Sequence, residues 1–238
     1  MKTVKSRKKK PAVTMGVELE SYSIDVAENR ISRELHFSKR SAVEKGEQFT
    51  RDWSIGSEFN SKAFLTLREA FFLLKNSLRK YAKFRESNGE THRLTIFPVG
   101  GWIDRFSGCH IHLGLGKDGI PYDDAKKLAQ CLHGHIPFLI ALSANSTVWR
   151  EQITKPPSSR LLRGTKKYFK ITKRERFFKD HFREINFNRG NTRKPPTLEL
   201  RILDSSIPEY IVACLVVCHA VTLRWLKHRS INPLTLII

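Results

Sequence analysis

An α+β fold, a mainly antiparallel sheet with helices packed on one of its faces, is the class this sequence predicts. Three segments of the 238-residue chain, 13–24, 108–115 and 197–203, alternate apolar and polar residues with the period of a half-buried strand. Two others, 63–85 and 123–143, carry apolar residues at helical spacing, and a further apolar stretch follows Ser206. Strands with one oily face need a cover, and these helices supply it.

Residues 1–12, with Lys2, Lys5, Arg7, Lys8, Lys9 and Lys10, form a solvated basic arm, and 13–238 are expected to fold as a single domain. No apolar run follows the arm, so it does not read as a secretory signal. In 13–24, Met15, Val17 and Leu19 point to the core and leave Glu18 and Glu20 on the opposite face. Residues 26–62 read as irregular and polar, ending in Asp52-Trp-Ser-Ile-Gly-Ser-Glu58. The helix over 63–85 places Phe64, Leu67, Phe71, Leu74 and Leu78 on one side. A strand over 92–99 and a Gly100-Gly101 turn precede 108–115, where Ile111, Leu113 and Leu115 face inward and His110 and His112 outward. The helical stretch 123–143 breaks near Gly134 and Pro137. Residues 150–194 hold 15 Lys or Arg against 4 Asp or Glu, a basic insertion. In 197–203, Leu198, Leu200 and Ile202 face the core; Glu199 and Arg201 do not. Ser206 with Glu209 predicts a capping box opening a buried helix that runs to about Lys227, with Cys214 and Cys218 as neighbours on it.

Lys and Arg number 43 against 23 Asp and Glu, a formal charge of +20 that attracts phosphates, nucleic acid or acidic peptide. The four cysteines, Cys109, Cys131, Cys214 and Cys218, have neither a disulfide-framework spacing nor a Cys-x-x-Cys pair, as expected of a reduced intracellular protein. The longest oily stretch, 210–223, is interrupted by His219 and Thr222 and falls short of the roughly 20 apolar residues a membrane span needs. A soluble, cytoplasmic protein with no membrane contact is the expectation.

The polar faces of the three strands carry Glu18 and Glu20, His110 and His112, Glu199 and Arg201. Taken alone, Glu18 and Glu20 fit a solvent-exposed strand, and the two histidines fit either a half-exposed pair or a transition-metal site. Together they point to hard cations and phosphate, because Mg²⁺ takes oxygen ligands and nucleotide phosphates complete its shell. Converging carboxylates repel unless a cation or a neighbouring Arg compensates.

Five segments carry a resemblance: Gly-Val-Glu-Leu-Glu at 16–20, Gly-Cys-His-Ile-His-Leu-Gly at 108–114, Leu-Ser-Ala-Asn-Ser at 142–146, Ser-Ser-Arg at 158–160 and Leu-Glu-Leu-Arg-Ile-Leu-Asp at 198–204. In this order they resemble carboxylate-amine ligases of the glutamine synthetase superfamily, particularly the glutamate-cysteine ligase type 2 and amidoligase branches. The resemblance implies a glutamine synthetase-like catalytic fold with a curved sheet. It also implies one metal bound by Glu18, His110 and Glu199, and a second bound by Glu20 with Glu58. His112 would line the same face in the cofactor site, Arg160 and Arg163 would contact nucleotide phosphates, and Arg201 would hold a transferred phosphate or a substrate carboxylate. ATP and Mg²⁺, or Mn²⁺, are the implied cofactors, and the implied reaction forms an amide or peptide bond through an acyl phosphate. Small-molecule or peptide carboxylates and amines would be the substrates, and a homo-oligomer the assembly. The family's small-residue and Pro pattern after the Asn-Ser segment is replaced here by Thr-Val-Trp-Arg at 147–150.

A second function class rests on charge. The arm and the basic 150–194 segment, with Tyr168, Phe169, Phe177 and Phe178 interleaved, suit a nucleic-acid-binding protein or metal-dependent nuclease, although no recognition-helix, zinc-finger or RNA-binding signature is present. The same surface, with the Lys166, Lys167, Lys170 and Lys173 cluster, would let a ligase hold an acidic macromolecule such as tRNA or an acidic peptide.

Overall fold

Alternation in the first strand has the consequence expected of it: Val13, Met15, Val17 and Leu19 are buried while the residues between them are half-buried. The computed structural model describes residues 12–32, 48–50, 55–87, 94–164, 170–192 and 194–228, so residues 1–11 of the basic arm lie outside the described residues. Strand β1 (Val13–Asp25) is long enough to hold four partners, all antiparallel. On one edge its first half pairs with β6 (Gly108–Leu115) and its second with β5 (Leu94–Phe97). On the other it pairs with β4 (Gly56–Asn60) and then β2 (Arg30–Ser32). The sheet continues from β6 to β10 (Thr197–Asp204) and β9 (Ile185–Asn188), and from β4 to β3 (Gln48–Thr50).

Between the pairs Leu200↔Ile111 and Leu203↔Cys109, β10 spends one residue more than β6. Such a bulge bends its strand and increases the local twist. It also exchanges the faces of every residue beyond it. Leu203 therefore joins the core and Asp204 turns to the face that carries the histidines.

Helices α1 (Leu67–Ser87), α2 (Tyr122–His133), α3 (Ile136–Ser143) and α6 (Pro208–His228) cover the apolar face, where Leu74, Leu128, Leu132, Leu139, Leu215 and Trp225 meet Ile111, Leu113, Leu198 and Leu200. Each such side chain contributes about 1.5–3 kcal/mol on burial. This one-sided cover leaves the other face of the sheet for chemistry.

Three sequence expectations need correction. Residues 26–62 are not irregular throughout: β2, β3 and β4 lie there, three to five residues long and too short for alternation to register. Their conformation comes from pairing, a tertiary effect that overrides weak propensity. The helix expected from 63 begins at Leu67, because Met15 and Phe64 exchange two backbone hydrogen bonds of 2.9 Å. A cap follows immediately: the Glu69 N–H donates to Thr66 Oγ1 (3.1 Å) and the Leu65 N–H to Glu69 Oε2 (3.1 Å). The last helix opens on Pro208, whose fixed φ suits a first helical position, and Ser206 Oγ accepts instead from Asn145 Nδ2 (3.5 Å). The described part of the basic insertion 150–194 carries elements of its own. The hairpin β7 (Val148–Trp149) and β8 (Gln152–Ile153), α4 (Ser159–Gly164) and α5 (Phe177–Asp180) precede β9, and Phe177, Phe178 and Ile185 belong to the core.

Candidate metal centre and ligand face

Residues opposite each other in antiparallel strands share a face, so the register assembles the site. Glu18 pairs with His110 on one side and Asn60 on the other, Glu20 with Glu58, and Gly16 with His112, which in turn pairs with Glu199. Glu18, Glu20, Glu58, His110, His112 and Glu199 therefore all stand on the open face, from four strands. A one-residue slip in any of them would send its contribution into the core.

The His110 ring lies among three carboxylates: its Nδ1 is 3.4 Å from Glu18 Oε2 and 3.5 Å from Glu199 Oε1, and its Nε2 is 3.7 Å from Glu20 Oε1. His112 Nδ1 is hydrogen-bonded to Thr197 Oγ1 (2.9 Å), which turns Nε2 toward Glu18 Oε1 at 3.4 Å. That Nε2 is buried and makes no hydrogen bond of acceptable geometry. Ligand atoms from Glu18, His112 and Glu199 all lie within 4.8 Å of one another. The sequence placed His110 with Glu18 and Glu199 and His112 beside them; both imidazoles converge on Glu18, with His110 Nδ1 3.4–3.5 Å from the Glu18 and Glu199 carboxylates and His112 Nε2 3.4 Å from Glu18.

Burial is the largest influence on the Glu18 carboxyl and pushes its pKa up, but the neighbouring imidazoles of His110 and His112 outweigh it and hold the group well below the usual carboxylate range. Beside Glu18 and His112 opens a cleft of about 420 Å³, bordered by Gly16, Asn60, Lys62, Asn188, Lys194 and Thr197. Its wall is mostly apolar, with Met15, Val17, Ala63 and Pro195, and its amides and ammonium groups offer a few polar contacts.

The other end of the face is a network. Glu20 Oε2 accepts the Gly108 N–H (2.5 Å). A side chain at position 108 would meet the Arg160 guanidinium, whose Nη2 is 2.5 Å from where its Cβ would stand. Arg160 Nη2 donates to the Arg201 carbonyl (2.7 Å) and Nη1 lies 3.8 Å from Asp204 Oδ1. Asp204 Oδ2 accepts from the Asn145 N–H (2.9 Å) and Ser146 Oγ (2.8 Å), and Ser146 Oγ is 3.0 Å from Ser158 Oγ. Thus the Asn-Ser, Ser-Ser-Arg and Leu-Asp segments meet around one buried carboxylate. Burial pushes the Asp204 carboxyl up, against the pull of Arg160, Asn145, Ser146 and Ser158.

Arg201 places Nε 3.4 Å from Glu199 Oε1, with a partly exposed side chain at the rim. Glu58 Oε1 accepts from Asn60 Nδ2 (2.6 Å) and Thr50 Oγ1 (3.0 Å). Arg163 lies over the Trp149 ring, 4.7 Å from its centroid, and Trp149 stacks on Phe106 at 4.6 Å. Phe177 and Phe178 are buried and offer no stacking platform; Lys166, Lys167, Tyr168 and Phe169 lie outside the described residues. Sequence reasoning missed Thr197, Asn60, Gly108 and Asp204. Thr197 was within reach, two positions before Glu199 on the same strand face. Asp204 was not, because an uninterrupted alternation puts it in the core.

No family model matches the sequence, and a search of curated proteins finds no match. Solved structures do match in fold. A bifunctional glutathione synthetase from Pasteurella multocida superposes with a TM-score of 0.56 at 14% identity over 87% of this chain and 38% of its own. Plasmodium falciparum glutamine synthetase gives 0.55 at 15% identity over 91% of this chain and 52% of its own. The ligase of the prokaryotic ubiquitin-like protein Pup gives 0.52 at 13% identity over 88% and 46%. The chain therefore has the glutamine synthetase-like fold and spans about half the length, or less, of these three structures.

Proposed function

We propose that this chain is an ATP- and magnesium-dependent carboxylate-amine ligase, or the catalytic part of one, whose open sheet face binds metal and nucleotide. The observation that carries the reading is the trio Glu18, His112 and Glu199, placed on a glutamine synthetase-like sheet with a buried imidazole nitrogen lacking a hydrogen-bond partner. Two carboxylates and one imidazole fit a divalent cation such as Mg²⁺ or Mn²⁺, and the Thr197 contact at Nδ1 leaves Nε2 free to act as a ligand. Glu18, His112 and Glu199 would hold one cation, with His110 completing or orienting the set; Glu20 and Glu58, in direct register, would hold a second. Bound there, the cations would neutralise charge on the phosphoryl group being transferred.

In the proposed reaction a carboxylate oxygen attacks the γ-phosphorus of ATP and ADP leaves. An amine then attacks the acyl carbon, phosphate leaves, and loss of the amine proton gives the amide. Arg201, at the rim beside Glu199, would hold the transferred phosphate or the substrate carboxylate, the electrostatic role of a fixed cation. Arg160, fixed over Gly108, and Arg163, on the Trp149 ring, would meet nucleotide phosphates. The excess of 20 positive charges favours acidic substrates, including peptides, and the cytoplasm supplies both ATP and Mg²⁺.

An ATP-dependent phosphate-release screen across acids and amines, with Mg²⁺ or Mn²⁺, tests the reading. Glu18→Ala and Glu199→Ala should each lower turnover by at least roughly a hundredfold, the scale on which a charge-stabilising group acts. A native protein that binds no ATP, with variants that keep its metal affinity, would overturn the proposal.

A further inference from the structure

Helix α6 buries Cys214, Leu215, Cys218, Trp225 and Leu226 in the core it shares with α1, α2, α3 and the sheet. Its outer side carries Glu209, Ala213, Val216, Ala220, Leu223 and Lys227. These recur at intervals of 4, 3, 4, 3 and 4 residues, the spacing of a helix-pairing seam. Val216 is 45% and Leu223 48% exposed, and Phe72 on α1 and Phe138 on α3, both exposed, stand on helices that pack against α6. An apolar outer stripe of this kind marks a contact surface.

The stripe is also self-complementary. Reflected about Cys218, Glu209 falls opposite Lys227, Ala213 opposite Leu223, and Val216 opposite Ala220. Each acid meets a base, and each large side chain meets a small one. Only an antiparallel pairing has this property; a parallel pairing would set Glu209 on Glu209 and Lys227 on Lys227.

We propose that the outer face of α6 is a homodimer interface, in which a second copy of this chain packs its own α6 antiparallel about a two-fold axis at Cys218. Such an isologous contact is closed, as two-fold interfaces are. It lies on the helical side of the sheet, away from the acidic face, so it forms whether or not that face binds ATP.

Sedimentation of the full chain over a range of concentrations reads the assembly, and cysteine pairing reads its geometry. Ala220→Glu should raise the dimer dissociation constant at least tenfold while leaving the helical circular dichroism unchanged. Glu209→Lys should also weaken the dimer, and adding Lys227→Glu to it should restore association. Mixed Ala213→Cys and Leu223→Cys chains should form a disulfide with each other, and neither should do so alone; the four native cysteines are buried. The proposal is overturned by a monomer at every concentration or by a disulfide between two Ala213→Cys chains. It is equally overturned if the chain associates with lipid vesicles in place of itself, or if deleting 229–238 abolishes a dimer that Ala220→Glu leaves intact.

Discussion

At the cleft end of the open face, around Glu18, His112 and Glu199, charged and polar groups converge and His112 Nε2, buried, makes no hydrogen bond; at the Gly108 end, Asp204 Oδ2 accepts from Asn145 and Ser146, while its Oδ1 makes no hydrogen bond and lies 3.8 Å from Arg160. The same sheet face thus does two jobs. Around Asp204 Oδ2 and Ser146 the hydrogen bonds fix the position of Arg160 and the loops that carry it. At His112 Nε2, beside the cleft, free energy is available to a ligand that completes the set, since a buried unsatisfied group costs about 1–3 kcal/mol.

Substitutions can break this division, beginning with the largest expected effect. Glu199→Gln removes a proposed ligand and keeps the shape, so turnover should fall roughly a thousandfold, about 4 kcal/mol, with little change in the melting temperature of the metal-free protein. ATP-dependent phosphate release checks the first half, and calorimetry without metal the second. Asp204→Ala should do the reverse to stability: it strands the Asn145 N–H, the Ser146 hydroxyl and Arg160, and should cost about 2–4 kcal/mol in urea unfolding. Equal stability losses in the two variants would erase the distinction. Thr197→Val leaves His112 in place but removes the contact that orients it, and should weaken Mn²⁺ binding about 10- to 100-fold by titration.

The smallest effect is a difference in pH response between the two ends of the metal-free protein. Glu18 is held below its ordinary value of 4.5, so its contribution to stability is present above that pH and is lost as the pH falls. Asp204 is raised above its ordinary 3.8, so its contribution is present below that pH and is lost as the pH rises through the folded value. In acid unfolding series, Glu18→Gln should flatten the rise of stability with pH, and Asp204→Asn should steepen it. A common direction for both would contradict the assignment.

Much of the candidate site was legible because strands write their geometry locally. The period of two put Glu18, Glu20, His110, His112 and Glu199 opposite Met15, Ile111 and Leu200, and all of these residues fall on the expected sides. The Thr66 and Glu69 cap was equally available, a Thr-x-x-Glu before an apolar run, though the helix start was read four residues early. The short strands around 26–62 were not legible, because three to five residues carry too little pattern, and their hydrogen bonds come from β1 or, for β3, from β4.

The sequence by itself determined the class of fold, the oily face of each long strand and the chemical character of the opposite face, since side-chain period and residue type are local properties. Tertiary structure alone decided how close His110 and His112 come to Glu18 and Glu199, that Asp204 turns away from the core, and that Arg160 is held in place by segments more than 40 residues apart. Those outcomes depend on strand register and on a single bulge, and register is a relation between strands that no strand specifies alone.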